Sequence, residues 1–308
     1  MKVPVLSMHR LRPPKIQIKR RYAPFLLLLP SILMLLPIGV FPVLYVGRLT
    51  FYQWNPTKPQ LGEVFIGLNN YWDFFHDVYT LKTLLTSFIF TFGTVIFEVI
   101  LGLSAALLLQ KESRFMSFIR SIMLLPLVMT PVVVGILWRM MYQSEFGIIN
   151  YFLTLLGLGK MSFLSNPDIA LPALIVASLW EYTPFMTLIF LAGLKSLPTE
   201  PLESAAIDGA NSWQMLRYIV LPMLRPIILI GVLIRSIDAF KILDLMFVTT
   251  RGGPGQITET ISLRIYYVAF RFFHMGYAST LTIILIAIIT ISCLVLLKLF
   301  RSAQETVG

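Results

Sequence analysis

ESAAIDGANSWQMLRYIVLP, residues 203–222, is a short polar stretch between two of the most apolar runs in the chain. Thr199, just before it, is placed to cap a helix. Glu200 and Glu203 fall in the first turn of that helix, where acidic side chains interact favourably with the positive helix end. Gly209 can adopt the positive φ that ends a helix. The pattern therefore predicts a first short helix that ends at Gly209.

A second short helix is predicted to follow the glycine, capped by Ser212 and ending before Pro222. Together the two elements form a helix–turn–helix. Its small side chains, Ala205 and Ala206, would let another protein approach closely, and its charged side chains would give that protein fixed contacts. The residues alone leave two interpretations open, a docking surface for a partner and an ordinary connecting loop.

The composition indicates that much of the remaining surface faces lipid. Of the 308 residues, 57% are hydrophobic and 13% are charged, whereas a soluble domain carries about 25% charged residues. These few charges cannot cover a globule of this size in water. Cys293 is the single cysteine, so no internal disulfide can form, and the three histidines have no metal-ligand spacing. The sequence thus predicts an all-α membrane protein without a metal site.

Six apolar runs are long enough to cross a bilayer, which takes about 20 residues per helix. The N-terminal run is too long for the core of a signal peptide, so we interpret it as a retained helix. We expect a basic tail over residues 1–24, a membrane domain over residues 25–300 and a short tail over residues 301–308. The predicted spans are residues 25–49, 84–109, 121–142, 171–194, 226–248 and 276–300.

Basic residues set the expected orientation, because lysine and arginine concentrate on the cytoplasmic side of a membrane protein. The N-terminal tail carries several of them and no acid, so the N-terminus is predicted to be cytoplasmic. Six crossings return the C-terminus, with Lys298 and Arg301, to the same side, and the stretch at residues 203–222 also lies there. The basic residues of the tail are Lys2, Arg10, Arg12, Lys15, Lys19, Arg20 and Arg21.

Charged residues also occur at membrane depth. The fifth predicted span carries four of them, each three positions from the next, so they would form a strip of alternating charge along one helix. A charge near the bilayer centre costs at least about 2.5–3.5 kcal/mol. Two roles stay open: the charges pair with one another and hold the bundle together, or they line a path for a solute. They are Arg235, Asp238, Lys241 and Asp244, and further acids at this depth are Glu98 and Glu181.

Sequence signatures of catalysis are missing. There is no GxxxxGK[ST] phosphate loop, and no arrangement of serine, histidine and aspartate or of cysteine and histidine suggests a nucleophile. We therefore expect no enzymatic activity and no cofactor bound by this chain. If ATP drives its function, another subunit must hydrolyse the ATP.

The stretch at residues 203–222 resembles the EAA loop in the membrane subunits of bacterial ABC importers. It has the E-x-A-A, D-G-A and L-P signatures in order, with Ser204 where alanine is most usual. Other landmarks resemble the carbohydrate branch, the family of the maltose-transporter membrane subunit, and together they cover most of the chain. They are FIGLNNYWDFF (65–75), LLPLVMTPVVVGILW (124–138), FGIIN (146–150), TTRGGPGQITET (249–260), IYYVAF (265–270) and GYAST (276–280).

The resemblance implies a type I ABC importer permease with six transmembrane helices and a cytoplasmic coupling loop at about residues 198–225. It implies a multi-pass protein of the bacterial cytoplasmic membrane that forms a pore with a second permease subunit. An ATPase dimer, which uses ATP and Mg²⁺, and an extracytoplasmic sugar-binding protein complete the importer. The residues expected to dock on the ATPase are Glu203, Ala205, Ala206, Asp208 and Gly209.

The resemblance also implies where the solute is contacted, at positions in the fourth and fifth predicted spans. Most residue types there differ from the maltose protein, which argues against maltose itself and leaves another sugar or a related polyol as the expected cargo. A charged solute such as glycerol 3-phosphate, bound by Arg235, stays an alternative. An ion-coupled secondary transporter is another, although it has no use for a coupling loop. The expected substrate-path residues are Ser178, Glu181, Tyr182, Phe185, Arg235, Asp238, Ala239 and Ile242.

Overall fold

The computed structural model describes the backbone of residues 23–305 and the side chains of residues 27–299, and these residues are mostly helical. The chain divides into two units, one ending at Val46 and the other beginning at Gly47. The basic N-terminal tail, on which the predicted orientation depends, lies outside the described residues. The side chain of Arg301 in the C-terminal tail also lies outside them.

The first unit contains one apolar helical run. It comprises α1 (Ala23–Leu35), a π-helical turn (Leu36–Val40) and the first part of α2 (Phe41–Leu49). Pro37 lies in the π-helical turn, whose wider winding accommodates the missing N–H of proline. The run from Leu27 to Leu49 is long and apolar enough to cross a membrane, as the first predicted span requires.

A long helix pair lies at the centre of the second unit. α4 (Val78–Leu109) packs along α9 (Pro167–Ser196), and α12 (Leu221–Phe240) packs against both. Gly102 lets α4 and α9 approach closely, because a Cβ there would lie 2.7 Å from Met186 Cβ. The other helices are α3 (Asn69–His76), α5 (Arg114–Met123), α6 (Leu125–Val128), α7 (Pro131–Met141), α8 (Ile148–Leu155), α10 (Glu200–Ile207), α11 (Ser212–Met215), α13 (Asp244–Thr249), α14 (Ile261–Tyr266) and α15 (Met275–Glu305), and the antiparallel strands are β1 (Tyr52–Gln53) and β2 (Val64–Phe65).

Hydroxyl side chains line the buried face of α4 and bond to their own helix. Ser87 Oγ donates to the Thr83 carbonyl at 2.8 Å, and Thr94 Oγ1 donates to the Phe90 carbonyl at 2.9 Å. These two hydroxyl groups therefore have acceptors one turn earlier. Ser87 Oγ also accepts the backbone N–H of Ile261 at 2.8 Å, which fixes the start of α14 against α4.

The third predicted span is not one straight helix but a bent pair of helices. The pair Arg114–Val128 and Pro131–Met141 is bent by 98°. Met129 and Thr130 have extended backbone angles, and Pro131 starts α7 where its missing N–H removes no helical bond. The described chain thus has five helices long and apolar enough to cross a membrane, or six if the bent pair is one span.

The fifth predicted span is interrupted as well. α12 ends at Phe240, and α13 begins only at Asp244. The Phe240 carbonyl accepts the Ser262 hydroxyl at 3.1 Å, and the Ile242 carbonyl accepts the Thr260 hydroxyl at 3.0 Å. These side chains bond backbone groups at the break, which is how an interrupted helix is tolerated at membrane depth. The four charges of this segment therefore cannot form a strip along one helix.

Candidate substrate site and coupling loop

Arg235 on α12 is 2% exposed and forms a bidentate ion pair with Glu98 on α4, which is fully buried. Nε donates to Oε2 and Nη2 donates to Oε1, both at 2.8 Å. Two parallel charge-assisted bonds give the pair a fixed geometry, and either charge alone would be costly at this depth. Arg235 thus pairs with an acid on another helix rather than with one along its own helix.

The ring of Tyr182 on α9 covers the guanidinium group of Arg235. The guanidinium carbon of Arg235 lies 3.7 Å from the centroid of the Tyr182 ring, so the cation lies over the negative face of the aromatic ring. Glu98, Tyr182 and Arg235 belong to α4, α9 and α12, respectively. The three central helices thus meet at one guanidinium group.

Two polar side chains of α9 beside this contact are buried and incompletely paired. Ser178 is fully buried and Glu181 is almost so. Ser178 Oγ and Glu181 Oε2 have no hydrogen-bond partner among the described residues. Buried polar atoms in native proteins almost always have partners, so an unpaired hydroxyl and an unpaired carboxylate oxygen one turn apart mark this place as a candidate binding site for a polar solute.

The apolar residues of the predicted path take part in ordinary packing. Ala239 and Ile242 are buried in a cluster that includes Phe90 and Leu174. Phe185 is half-buried against a second cluster around Phe190. The structure therefore brings Glu181, Tyr182 and Arg235 together. The three apolar residues of the predicted path contribute only packing contacts.

The remaining charges lie at the helix break and are more exposed. Asp238 pairs with Lys241 at 3.2 Å, and both side chains are about half exposed. Of the four charges in the fifth predicted span, Asp238 and Lys241 therefore do pair with each other, three residues apart. Asp244 is exposed at the start of α13 and lies within electrostatic reach of Glu181.

Glu98 is the site residue that sequence reasoning did not place. The sequence predicts that Glu98 is an acid at membrane depth, but it does not predict the partner. Helical spacing relates only neighbours on one helix, whereas Arg235 is 137 residues away. The available signal was charge balance. A buried carboxylate needs a cation, and Arg235 was a cation predicted in another span.

The predicted turn of the coupling loop is confirmed. Gly209 follows α10 with φ +78°, and nothing lies within 4 Å of a Cβ built there. The backbone angle, not crowding, therefore explains the glycine. Thr199 is the N-cap residue of α10, but the prediction that its side chain caps the helix is wrong. Its backbone is itself helical rather than extended, which is not the geometry of a capping side chain.

The predicted cap of the second helix is also wrong. Asn211, not Ser212, caps α11: its Oδ1 accepts from Gln214 N at 2.9 Å, and Gln214 Oε1 accepts from Asn211 N at 2.8 Å. This helix does not end before Pro222. A π-helical turn (Leu216–Val220) joins α11 to α12, and Pro222 lies in the first turn of α12, where proline is tolerated.

The second half of the coupling loop and the polar contact therefore belong to one continuous helical element. It begins at Ser212 and carries Arg235. With a rise of 1.5 Å per residue, the separation between the two is about 35 Å. A displacement of the loop along this element would reach the contact between α4, α9 and α12.

The predicted docking residues are accessible to a partner. Glu203, Ala206, Asp208 and Gly209 are exposed, and Ala205 is partly exposed. Large apolar side chains accompany them, and exposed apolar groups of this kind mark protein contacts. Sequence reasoning missed these groups, although apolar residues in a polar loop are a readable signal. They are Ile207, Trp213 and Tyr218.

Comparison with known proteins relates this geometry to a family. The model of the binding-protein-dependent transport system inner membrane component family matches residues 98–304. The trehalose/maltose transport system permease protein MalF of Thermococcus litoralis is 31% identical over 293 residues, 91% of this chain and 94% of that protein. The probable ABC transporter permease protein y4oQ of Sinorhizobium fredii is 37% identical over 273 residues, 88% of each chain.

Solved structures support the same fold. A chain of a bacterial ABC transporter involved in the import of the acidic polysaccharide alginate superposes with a TM-score of 0.79 at 22% identity, covering 92% of this chain and 97% of that one. The helical architecture is thus that of an ABC importer permease. By its sequence, its fold and its relatives, the chain belongs to the family of binding-protein-dependent transport system inner membrane components.

Proposed function

We propose that this chain is the pore-forming permease subunit of an ABC importer for a neutral sugar or a related polyol. The observation that carries the proposal is Glu181, whose carboxylate has a buried, unpaired oxygen next to the contact between α4, α9 and α12. Carboxylates accept strong hydrogen bonds from hydroxyl groups. The similarity to a permease named for trehalose and maltose supports this solute class.

A charged solute such as glycerol 3-phosphate fits the contacts less well. An anion needs a cation that is not already paired, but Arg235 is held by Glu98 and Lys241 is paired with Asp238. Glu181 and Asp244 would repel the anion. Of the expected path residues, Ser178, Glu181, Tyr182 and Asp238 supply the polar part of the proposed site, and Phe185, Ala239 and Ile242 supply its apolar packing. Arg235 lies beside the polar part in its ion pair with Glu98.

The energy for import comes, in this proposal, from a separate ATPase dimer that binds ATP and Mg²⁺. Glu203 and Asp208 offer charges to a cleft on that subunit, and Ala205 and Ala206 allow close approach. Gly209 sets the turn between the two helices. Their exposure and the apolar side chains around them support a docked partner.

The proposal includes two further partners and a location. A second permease subunit completes the pore in this proposal, and an extracytoplasmic binding protein delivers the solute. The family description, which names binding-protein-dependent transport, supports the second of these partners. The protein resides in the bacterial cytoplasmic membrane with both termini and the coupling loop on the cytoplasmic side. The basic N-terminal tail supports this orientation.

Uptake by the reconstituted importer tests the solute class and the energy source together. We expect proteoliposomes with the ATPase, both permeases and the binding protein to accumulate labelled trehalose when ATP is supplied inside, and not to accumulate glycerol 3-phosphate. Ionophores that collapse proton and sodium gradients should leave this uptake unchanged. Uptake of glycerol 3-phosphate alone would establish the charged-solute alternative, and uptake driven by an ion gradient without ATP would establish a secondary transporter.

A further inference from the structure

One guanidinium lies within electrostatic reach of two buried carboxylates in this molecule. Arg235 donates hydrogen bonds from Nε and Nη2 to Glu98. Glu181 on the neighbouring helix is close enough to interact electrostatically with Arg235. Among the described residues, Arg235 forms an ion pair with Glu98 and none with Glu181. The two carboxylates therefore differ: both oxygens of Glu98 accept hydrogen bonds from Arg235, whereas Oε2 of Glu181 has no hydrogen-bond partner among the described residues.

The difference between the two carboxylates depends on Glu98. A buried guanidinium without a partner is costly, so it moves to another carboxylate within reach. If Glu98 were neutral, Glu181 would be that carboxylate. The guanidinium carbon of Arg235 lies 3.7 Å from the centroid of the Tyr182 ring, so the cation already lies against α9, the helix that carries Glu181.

We propose that Glu98 is a positioning residue, which holds Arg235 on α4 and thereby keeps the Glu181 carboxylate free to accept a hydroxyl of the transported solute. This inference rests on the proposed function, in which Glu181 faces the solute. Arg235 is then not a solute contact, and Glu98 acts on the solute only through Arg235.

Three possible roles of the Glu98–Arg235 pair predict different results for a variant in which both residues are replaced. If Glu98 positions Arg235, removing both charges leaves Glu181 free and restores binding. If Arg235 contacts the solute, removing it can only make binding worse. If the pair merely joins α4 to α12, its loss lowers thermal stability and leaves the KM for uptake unchanged.

The test compares Glu98→Gln with Glu98→Gln/Arg235→Gln in the reconstituted importer, with labelled trehalose as the probe. Glutamine preserves the shape of the glutamate. We expect Glu98→Gln to raise the KM at least tenfold, because Arg235 then occupies Glu181. We expect the double variant to return the KM to within about threefold of the wild type, because no buried cation is left to compete. Thermal unfolding of each purified complex is measured in parallel.

A double variant whose KM is as high as that of Glu98→Gln overturns the proposal, and so does a wild-type KM in Glu98→Gln. If Glu98→Gln does not assemble, Glu98→Asp replaces it in the comparison, because its shorter side chain keeps the charge but holds Arg235 less closely. A raised KM in Glu98→Asp together with a KM near that of the wild type in the double variant supports the proposal, and a wild-type KM in Glu98→Asp or a tenfold rise in the double variant overturns it. A wild-type complex that imports no trehalose contradicts the proposed cargo instead, which separates the two failures.

Discussion

Glu98 and Glu181 are both buried acids, yet the structure treats them differently. Glu98 forms an ion pair with Arg235, so its negative charge is balanced by a cation. Glu181 has no ion-pair partner among the described residues and keeps one oxygen without a hydrogen bond. An unpaired buried carboxylate destabilises a protein, so its presence indicates a role other than stability. Binding of a hydroxyl-rich solute is the role that fits its surroundings.

Replacing Glu181 separates binding from stability. A hydrogen bond to a charged group contributes about 1.5–3 kcal/mol, so Glu181→Ala should raise the KM for sugar uptake roughly ten- to a hundredfold. The melting temperature of the purified complex should stay the same or rise, because a buried unpaired charge is removed. Glu145→Ala, at an exposed acid in the loop after α7, is the control and should change neither value. A lower melting temperature with an unchanged KM would show that Glu181 is structural.

The helices illustrate what local sequence can and cannot predict. Long apolar runs predicted spans, because burial in lipid demands about 20 such residues wherever they occur. The break between α12 and α13 was not predictable, since the hydroxyls of Thr260 and Ser262 that compensate it lie 18 and 22 residues further along the chain. The same limit applies to the site. Family positions placed Glu181, Tyr182 and Arg235, but no local pattern connects Arg235 to Glu98.

The N-terminus of α4 is held by a single carboxylate. Asp77 Oδ1 accepts the backbone N–H groups of Tyr79 at 3.0 Å and Thr80 at 3.2 Å, and Oδ2 accepts from the Tyr277 hydroxyl at 3.1 Å. Arg264 Nη2 lies 3.5 Å from Oδ2. Partial burial alone would raise the pKa of Asp77, but the hydrogen bonds from Thr80 and Tyr277 and the charge of Arg264 together lower it below its usual value.

Asp77→Ala should therefore destabilise the protein in a pH-dependent way. Loss of the cap costs about 0.5–2 kcal/mol. Because the pKa is lowered in the folded state, the stabilisation is present above the unfolded-state pKa and is lost as the pH falls through the folded-state pKa. The difference in melting temperature between wild type and variant should be largest near neutral pH and shrink below about pH 4. A difference that stays constant from pH 7 to pH 3 would contradict this assignment, and Asp73→Ala, at an exposed acid on α3, is the control.

Across the whole second unit, the coupling loop and the polar contact are mechanically connected. The loop follows the C-terminal end of α9 and continues into the helix that carries Arg235. α9 is 30 residues long, so the segment before it lies about 45 Å from the loop. An ATPase that moves the loop would therefore displace α12 against α4 and α9 at the polar contact. This connection is how, in our account, ATP hydrolysis opens a path for the solute.

Gly209→Asp tests that account most directly. A Cβ at this exposed site meets no neighbour within 4 Å, and aspartate is one of the residues that adopt a positive φ most readily. The variant should therefore fold and reach the membrane while its added side chain and charge obstruct docking of the ATPase. Gly159→Asp is a matched control, since Gly159 has φ +74° and equally open surroundings at the other end of α9. ATP hydrolysis and sugar uptake are measured in the same proteoliposomes. We predict that Gly209→Asp lowers the sugar imported per ATP hydrolysed at least tenfold while Gly159→Asp does not, and coupled uptake by Gly209→Asp at the wild-type ratio would contradict the account.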